Sequence, residues 1–441
     1  MAGPYASSQN RTPGVALYLF IALCVAGRAM GQFPPGVFDS LPQADGQTIV
    51  DAESPPYARY DEPPPPPFDY WQPTWMPCQS LRANRSLVLG HLYWGAEILG
   101  WSTKGVHVPP LVTASSPADG GVIGQGNTRI LFGEEWQQNE LRPGGRLTIG
   151  WWFNPNQYRG IEWHYFELDG QNIRFNAAET NGAANGILAR PIIDPNTAGN
   201  AAVIIASGDQ NGSIRVASDL QLTSTGILFR DLFWASPYAR VDYLVGYRHT
   251  HLFDRLRTEE SLTALAGNPD FTAGQHITRV DLFRAVNQFD GADFGLKSWW
   301  SNDGKLAVTG LAKIAIGASN NDVIISGYTQ TGSGRNVQAT QGGVLALPSN
   351  IGRRAQQEFG YVTEIGGGLE WQPICYWKFS LGYTWFYWSE VARAISQIDR
   401  TVDTTQLAPT NSTTNCGCPA FHMHTTSFWA QGLNAGFSYQ F

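Results

Sequence analysis

One group of side chains in this 441-residue chain could support hydrolysis. His249, His251 and Asp254 stand close together in the sequence, and an imidazole beside a carboxylate can activate water. Histidine and aspartate are also ordinary residues at the end of a strand, and no nucleophile motif accompanies them. We therefore interpret the cluster as structural and keep a surface hydrolase of the protease or lipase type as the alternative function.

A second group could bind a soft metal ion. Cys416 and Cys418 are followed closely by His422 and His424, and thiolates with imidazoles at such spacing can hold zinc or copper. In an oxidising exterior, however, a disulfide within the loop is the more common outcome. We therefore predict no metal and no cofactor.

Composition narrows the class of protein that must position these residues. Only 15% of the residues are charged, whereas 48 are glycine and 16 are tryptophan. These proportions favour many short, half-apolar segments. The net charge of −7 and the lack of a basic run with interleaved aromatic residues argue against binding to nucleic acid.

The N-terminal 85 residues predict export. Residues 1–31 carry Arg11, a short apolar run and a small-x-small cleavage site, as in a signal peptide. Residues 32–85 are rich in proline and predict a disordered periplasmic leader. Residues 86–441 form the remaining domain. The apolar run is too short to cross a bilayer, so membrane insertion of the mature chain requires a barrel.

The C-terminal residues give the clearest structural signal. Phe441, Tyr439 and Phe437 share one face, and Gln440 and Ser438 lie on the other. This period of two predicts a strand. Aromatic residues at every second position up to the terminus are typical of outer-membrane barrels, whose apolar face meets lipid.

The same alternation predicts an all-β fold, a transmembrane antiparallel up-and-down barrel of ten strands. The predicted strands cover residues 87–101, 146–153, 158–168, 214–234, 240–253, 276–297, 305–319, 356–371, 376–388 and 427–441. Residues 322–331 are also strand-like, so twelve strands are an alternative. A soluble secreted β-sandwich is a third interpretation.

The connections between these strands alternate between short and long. Long connections are expected at about 102–145, 169–213, 254–275, 320–355 and 389–426. Short periplasmic turns and long extracellular loops are the known asymmetry of outer-membrane barrels. Seven tryptophans beside the short turns predict the periplasmic aromatic girdle: Trp151, Trp152, Trp234, Trp299, Trp300, Trp371 and Trp377. The opposite girdle would contain Trp101, Phe253, Tyr387, Trp388 and Trp429.

The polar face of the strands predicts the residues that line the lumen. They are His91, Glu97, Glu162, His164, Asp242, Arg248, Lys313, Glu364, Glu370 and Lys378. Their charges are mixed, and a barrel of about ten strands is only slightly wider than one that side chains fill. Pairs such as Glu364 with Arg248 or Lys378 therefore favour a narrow or partly plugged lumen over an ion-selective pathway.

Several motifs resemble the putative β-barrel porin family, the planctomycete-type outer-membrane β-barrel proteins. They are the segments 245–248, 347–352, 382–384, 387–389 and 428–434. The resemblance implies an outer-membrane barrel and carries no catalytic residues. We expect a porin-like protein that passes small solutes or has a structural, surface role.

The expected topology also predicts partners and disulfides. Outer-membrane lipid would surround the barrel, and the strand ending at Phe441 would be recognised by the barrel-assembly machinery. Cys78 in the leader and Cys375 in a short turn would both be periplasmic, so they can form a disulfide, whereas Cys416 and Cys418 would lie outside the cell.

Overall fold

The computed structural model describes residues 91–179, 186–333, 336–408, 410 and 416–441. The expected signal peptide, residues 1–31, and the leader, residues 32–85, lie outside the described residues and stay predictions. Among the described residues, no helix is both long and apolar enough to cross a membrane.

Ten long strands form the main sheet, as predicted. We number them β1 to β10 in chain order: Leu92–Thr103, Leu141–Trp152, Arg159–Glu179, Gln210–Ala235, Ala239–Ala264, His276–Trp300, Leu306–Ser333, Gly352–Ile374, Trp377–Ala392 and Thr425–Gln440. Each prediction overlaps one strand. Most observed strands are longer at the end away from the short turns, because the pairing continues above the membrane.

The ten strands close into a barrel. Every strand pairs antiparallel with its neighbours in the chain, and β1 pairs with β10 from Tyr93 opposite Gln440 to Thr103 opposite Ala430. Because β6 also pairs with β7 over its full length, the ring of ten strands closes, and edges stay unpaired only in upper parts of strands such as β3 and β8. A closed ring satisfies every backbone polar group within the sheet, which is what a bilayer requires.

The strand-like segment 322–331 is the upper part of β7 and not a separate strand pair. β7 runs for 28 residues, from Leu306 to Ser333, although about 9–11 residues suffice to cross a bilayer. Its upper end pairs with a short strand, Asn336–Gln341. The barrel therefore has ten strands, and its upper wall stands above the membrane.

The outer wall in the lower half of the barrel is apolar. Its exposed residues include Ile98, Ile161, Ile227, Val245, Phe294, Leu296, Val308, Ile314, Ile365, Leu369, Leu381 and Leu433. They alternate along each strand with buried, inward-facing residues, as the pleat of a strand demands. A water-soluble sandwich would bury this face, so the exposed band identifies the surface that meets lipid.

The long connections carry smaller elements at the extracellular end. One sheet contains Arg129–Phe132, Val112–Ser115, Ile187–Ile193 and Asn200–Ala206 in that order, and Val106–His107 pairs with Trp136–Gln137. The connection after β9 contains two short 3-10 helices, Ile395–Gln397 and Thr404–Gln406. Together with the upper barrel wall, these segments bury an extensive apolar cluster.

Candidate functional site

A charged vestibule occupies the periplasmic half of the lumen. It is a cavity of about 280 Å³ that extends to the short-turn rim at Gln157, Cys375 and Tyr376. The structure places eight of the expected lumen residues on its wall: Glu97, Glu162, His164, Asp242, Lys313, Glu364, Glu370 and Lys378.

Glu364 is the centre of an ion-pair cluster at the top of the vestibule. Its carboxylate lies 2.9 Å from Arg146, 2.8 Å from Arg248 and 2.9 Å from Lys313. Arg248 also contacts Asp293 at 2.9 Å, and both of these side chains are fully buried. The cluster therefore holds buried charges of both signs in contact, and it leaves little free charge to select an ion.

Glu162 is the centre of a second group nearer the rim. Its carboxylate accepts a hydrogen bond from the Tyr93 hydroxyl at 2.8 Å and lies 3.5 Å from Arg230 and 3.4 Å from Lys297. Tyr93 can reach it because the ring passes over Gly150, where a Cβ atom would come within 2.1 Å of the ring. A glycine in β2 thus makes room for this contact.

The remaining expected lumen residues have varied surroundings. Lys378 contacts Glu370 at 3.2 Å rather than Glu364, and Glu97 contacts Arg146 at 3.2 Å. His164 is buried, and neither of its ring nitrogens has a hydrogen-bond partner among the described residues. His91 immediately precedes β1, is half-buried and does not line the vestibule.

Two tryptophans expected in the periplasmic girdle face the lumen instead. Trp152 is buried beneath the guanidinium groups of Arg230 and Arg240, at 4.6 and 4.9 Å. Trp299 donates a hydrogen bond to Glu370 at 3.1 Å. Consecutive residues of a strand point to opposite faces, so the pairs 151–152 and 299–300 can each supply only one ring to the lipid. The outward residues are Trp151, Trp234, Trp300, Trp371 and Trp377.

An apolar layer closes the lumen directly above the Glu364 cluster. It contains buried residues from nine of the ten strands, including Leu99, Trp101, Phe166, Leu168, Leu220, Leu222, Leu252, Phe289, Val362, Phe386, Trp388 and Phe428. The rings interlock: Phe166 lies 5.4 Å from Trp101 and 5.6 Å from Phe386, and Phe289 lies 6.2 Å from Trp388. Trp101 and Trp388 were expected in the extracellular girdle, and that expectation is wrong because both lie on inward-facing positions.

A buried arginine from the connection after β9 covers this layer on the extracellular side. The Arg393 guanidinium donates to Asp254 at 2.8 Å and makes a short contact with the Gln138 side chain. The Ala394 N–H also donates to Asp254, at 3.1 Å. The connection is therefore anchored inside the barrel mouth, so that polar bonds reinforce the apolar seal.

Higher up, Asp281 of β6 holds the segment between β7 and β8. Its carboxylate accepts three backbone N–H groups, from Val344 at 2.8 Å, Leu345 at 3.1 Å and Ala346 at 2.9 Å. Gly343 permits this approach, since a Cβ atom there would lie 2.1 Å from the carboxylate. The segment belongs to the buried extracellular core.

Arg190 completes this extracellular charge cluster. It donates to Asp281 at 2.6 Å and to Glu260 at 3.0 Å, and all three side chains are buried. Burial raises the pKa of the Glu260 carboxyl, and the cations Arg190 and Arg279 oppose that rise. These contacts connect the extracellular sheet to the barrel wall.

The proposed hydrolytic cluster does not assemble. Asp254 faces inward and binds Arg393, whereas His249 faces outward and contacts Asp290 at 2.8 Å. Residues 249 and 254 are separated by an odd number of positions, so a regular strand sends their side chains to opposite faces. The structure therefore removes the geometric basis for catalysis by this cluster.

Cys416 and Cys418 in the last long connection form no disulfide, contrary to the expectation. The Cys418 N–H donates to Cys416 Sγ at 3.2 Å, and Cys418 Sγ donates to the Cys416 carbonyl at 3.4 Å. These local bonds satisfy the sulfur atoms without a covalent link. Within the described residues, no group of three or more histidine, cysteine or acidic side chains is placed to hold a metal.

Cys375 is disulfide-bonded. Neither Cys416 nor Cys418 forms a disulfide, so neither is its partner. The pairing with Cys78 stays a prediction.

These features define a class of protein. A closed ten-stranded ring with an apolar outer band, short turns at one rim and long connections at the other is an outer-membrane β-barrel. The chain belongs to the family described as putative beta barrel porin-7, whose family model matches residues 93–441. It is thus a porin-like protein of the outer membrane.

Comparisons of sequence and structure add little to this assignment. No curated protein sequence matches the chain. Among solved structures, the outer membrane protease OmpT of Escherichia coli is similar with 11% identity and a TM-score of 0.35, covering 82% of this chain and 100% of that chain. The toluene transporter TodX of Pseudomonas putida has 7% identity and a TM-score of 0.19, with 82% and 91% covered. A FadL homologue of Pseudomonas aeruginosa has 8% identity and a TM-score of 0.20, with 79% and 90% covered. Likeness at this level assigns no function.

Sequence reasoning missed the apolar layer, although the sequence contains its signal. Glu162 and His164 mark the inward positions of β3, and the next two inward positions are Phe166 and Leu168. Continued toward the extracellular end of the strand, the same alternation shows that apolar side chains face the lumen there. The partners Arg146 and Arg230 could not be found in this way, because only strand register shows which charges meet across the lumen.

Proposed function

We propose that this porin-like barrel is closed at rest and holds a rigid extracellular platform at the cell surface. The observation that supports it most directly is the apolar layer from nine strands, which separates the vestibule from the exterior. An ion would have to shed its hydration to enter this layer, at a cost of many kcal/mol. Solute passage through the lumen therefore requires a gap in this layer.

The platform itself supports the structural role. Its core combines the upper walls of the barrel with the extracellular sheet and the connections after β7 and β9. A pore with freely moving loops would not need such a core. The buried pairs of Arg190 with Glu260 and Asp281 attach the sheet to the wall at defined positions.

Conductance in planar bilayers tests the proposal. Purified wild-type protein should give no stepwise current. A triple variant, Trp101→Ala, Phe166→Ala and Trp388→Ala, removes three rings of the layer and should admit ions. Trp385→Ala and Tyr387→Ala form the matched control, since those rings stack at 5.5 Å on the outer wall. Heat-dependent gel mobility verifies that each variant is folded. Reproducible single-channel steps from the wild type would overturn the proposal.

Export and assembly complete the proposed function. We propose that residues 1–31 direct export, that residues 32–85 remain in the periplasm, and that the last strand is the signal for the barrel-assembly machinery. The Phe441 ring contacts Tyr439 at 4.9 Å, and its N–H donates to the Leu92 carbonyl at 3.1 Å. Phe441→Ala should reduce the amount of folded barrel in outer-membrane fractions, whereas Phe379→Ala, on the same outer wall, should not.

We also propose that the protein is not an enzyme. His249 and Asp254, the candidate residues of the hydrolase alternative, lie on opposite faces of β5. Lipid or peptide hydrolysis by the purified protein that His249→Ala abolishes would contradict this.

A further inference from the structure

The outer wall carries a polar patch just above its apolar band on β6, β7 and β8. Phe359 is 73% exposed and pairs with Ala318, which stands opposite Asp290 on β6, in the row where the apolar band of β7 and β8 ends. In the next outward row, Asn320 stands opposite both Gln288 and Gln357. Three amide side chains therefore lie side by side directly above the apolar band, where the headgroups of the outer leaflet are expected.

A groove opens above these amides. It is a cavity of about 360 Å³ whose wall includes the three amides, the small side chains of Val286 and Ala355, and Arg353. Val286 and Ala355 both pair with Asp322, in the row between the amides and the arginines. Val286 and Ala355 leave space against the sheet on either side of Asp322, whose side chain also lines the groove.

Arg353 lines the groove at its upper end, and two further arginines stand in the same row beside it. Ile324 stands opposite both Arg284 and Arg353, and Arg284 stands opposite Arg255 on β5. Asp322 contacts Arg353 at 2.7 Å and neutralises part of its charge, yet that arginine side chain remains 70% exposed.

Arg284 is the arginine of this row whose positive charge lacks a partner among the described residues. It forms no ion pair among the described residues, and its buried Nε has no hydrogen-bond partner there. It faces Arg255 directly across the strands, an arrangement that repels; Asp219 contacts Arg255 and relieves only part of this repulsion. An anion shared by the arginines would turn the repulsion into attraction.

We propose that this patch binds the headgroup of an anionic glycolipid of the outer leaflet. Phosphate would be held by Arg284 and Arg353, and sugar hydroxyls by Gln288, Asn320 and Gln357. The amide and arginine rows are four residues apart along each strand, about 13 Å, which exceeds the size of a single phosphate. Phe359 and the apolar wall below it would receive the acyl chains. The proposal does not depend on whether the lumen conducts.

Native mass spectrometry of the purified full chain in detergent tests the proposal. The probes are a bisphosphorylated disaccharide glycolipid of the lipid A type, phosphatidylglycerol and inorganic phosphate. The wild type should prefer the glycolipid. The double variant Arg284→Gln and Arg353→Gln should bind it at least about tenfold more weakly, because two charge-assisted hydrogen-bonding groups are lost. High salt should weaken wild-type binding in the same direction.

Arg159→Gln is the matched control. Arg159 is also exposed and ion-paired, with Asp231 at 2.8 Å, but lies at the periplasmic rim; its replacement should leave binding unchanged. Replacement of the three amides by leucine should reduce the preference for glycolipid over phosphatidylglycerol. Equal binding by the double variant and the wild type would overturn the site. Equal binding of phosphatidylglycerol, or full competition by inorganic phosphate, would overturn the assignment to a glycolipid.

Discussion

The Glu364 cluster allows a quantitative test of the lumen. Glu364→Gln keeps the shape of the side chain but removes the one carboxylate that contacts Arg146, Arg248 and Lys313 within 2.9 Å. Its side chain is 2% exposed, so water cannot replace the lost partner. Removal of one member of a buried ion pair costs about 3–5 kcal/mol. We expect the upper part of that range, because three cations lose one shared anion.

Glu370→Gln is the comparison variant for the loss of stability expected from Glu364→Gln. Glu370 lies in the same strand and on the same face, but its side chain is 22% exposed and it contacts one lysine, Lys378, at 3.2 Å. Because solvent screens such a pair, we expect a loss of about 1 kcal/mol or less. Addition of Lys313→Met to Glu364→Gln should recover part of the loss, since Lys313 is the one of the three cations whose ion pairs among the described residues are limited to Glu364, whereas Arg146 keeps Glu97 and Arg248 keeps Asp293.

The assay is urea unfolding of the barrel in lipid vesicles, followed by tryptophan fluorescence, with heat-dependent gel mobility to measure the folded fraction. The expected order of stability is wild type, Glu370→Gln, the double variant and then Glu364→Gln. A free energy of unfolding for Glu364→Gln that equals that of Glu370→Gln would refute the reasoning, because it would show that water reaches the Glu364 cluster.

Three further predictions address the faces of the strands and the cysteines. Trp151→Phe should reduce fluorescence quenching by brominated lipids, whereas Trp152→Phe should not, because Trp151 is exposed on the outer wall and Trp152 is buried in the lumen; equal effects would contradict the assigned faces. Partial burial and the hydrogen bond with Cys416 raise the pKa of the Cys418 thiol to about 11. Alkylation at Cys418, measured by peptide mapping, should therefore be slow at pH 7 and should accelerate about tenfold per pH unit up to that pKa. Rapid labelling at pH 7 would show that the thiol is unperturbed. Finally, if Cys78 pairs with Cys375, digestion without reductant should yield a peptide that joins the two, and Cys375→Ser should abolish it; a peptide that joins Cys78 to Cys416 would contradict the topology.

Much of the fold could be read from the sequence, because a membrane leaves few solutions. The alternation near Phe441 and the sequence of short and long connections predicted ten strands, and the structure confirms them. Alternation has an exact period of two, so it survives even in strands of modest hydrophobicity. The predicted ends of the strands were less accurate. Strand pairing continues above the membrane in polar residues such as Asn320–Asp322, where the alternation of apolar and polar residues is weaker.

The wrong predictions of side-chain positions arose because the two-residue alternation of strand side chains was not applied to every residue. Trp152 and Trp299 were assigned to the lipid with their neighbours, and His249 was grouped with Asp254, although each pair spans an odd number of positions. The expectation of a disulfide between Cys416 and Cys418 failed for a different reason, because disulfide formation depends on local backbone geometry that spacing does not reveal.

The sequence by itself determined that the chain forms strands, which face of each strand is apolar, and that the ends of the barrel differ. These properties are local, because each depends on residues a few positions apart. Only the tertiary structure decided that an apolar layer packs inside the lumen and which charges neutralise one another. Arg146 and Glu364 are 218 positions apart and meet at 2.9 Å, and Arg393 reaches Asp254 from a connection 139 positions away. Such contacts follow from the register and closure of ten strands, which no short segment specifies.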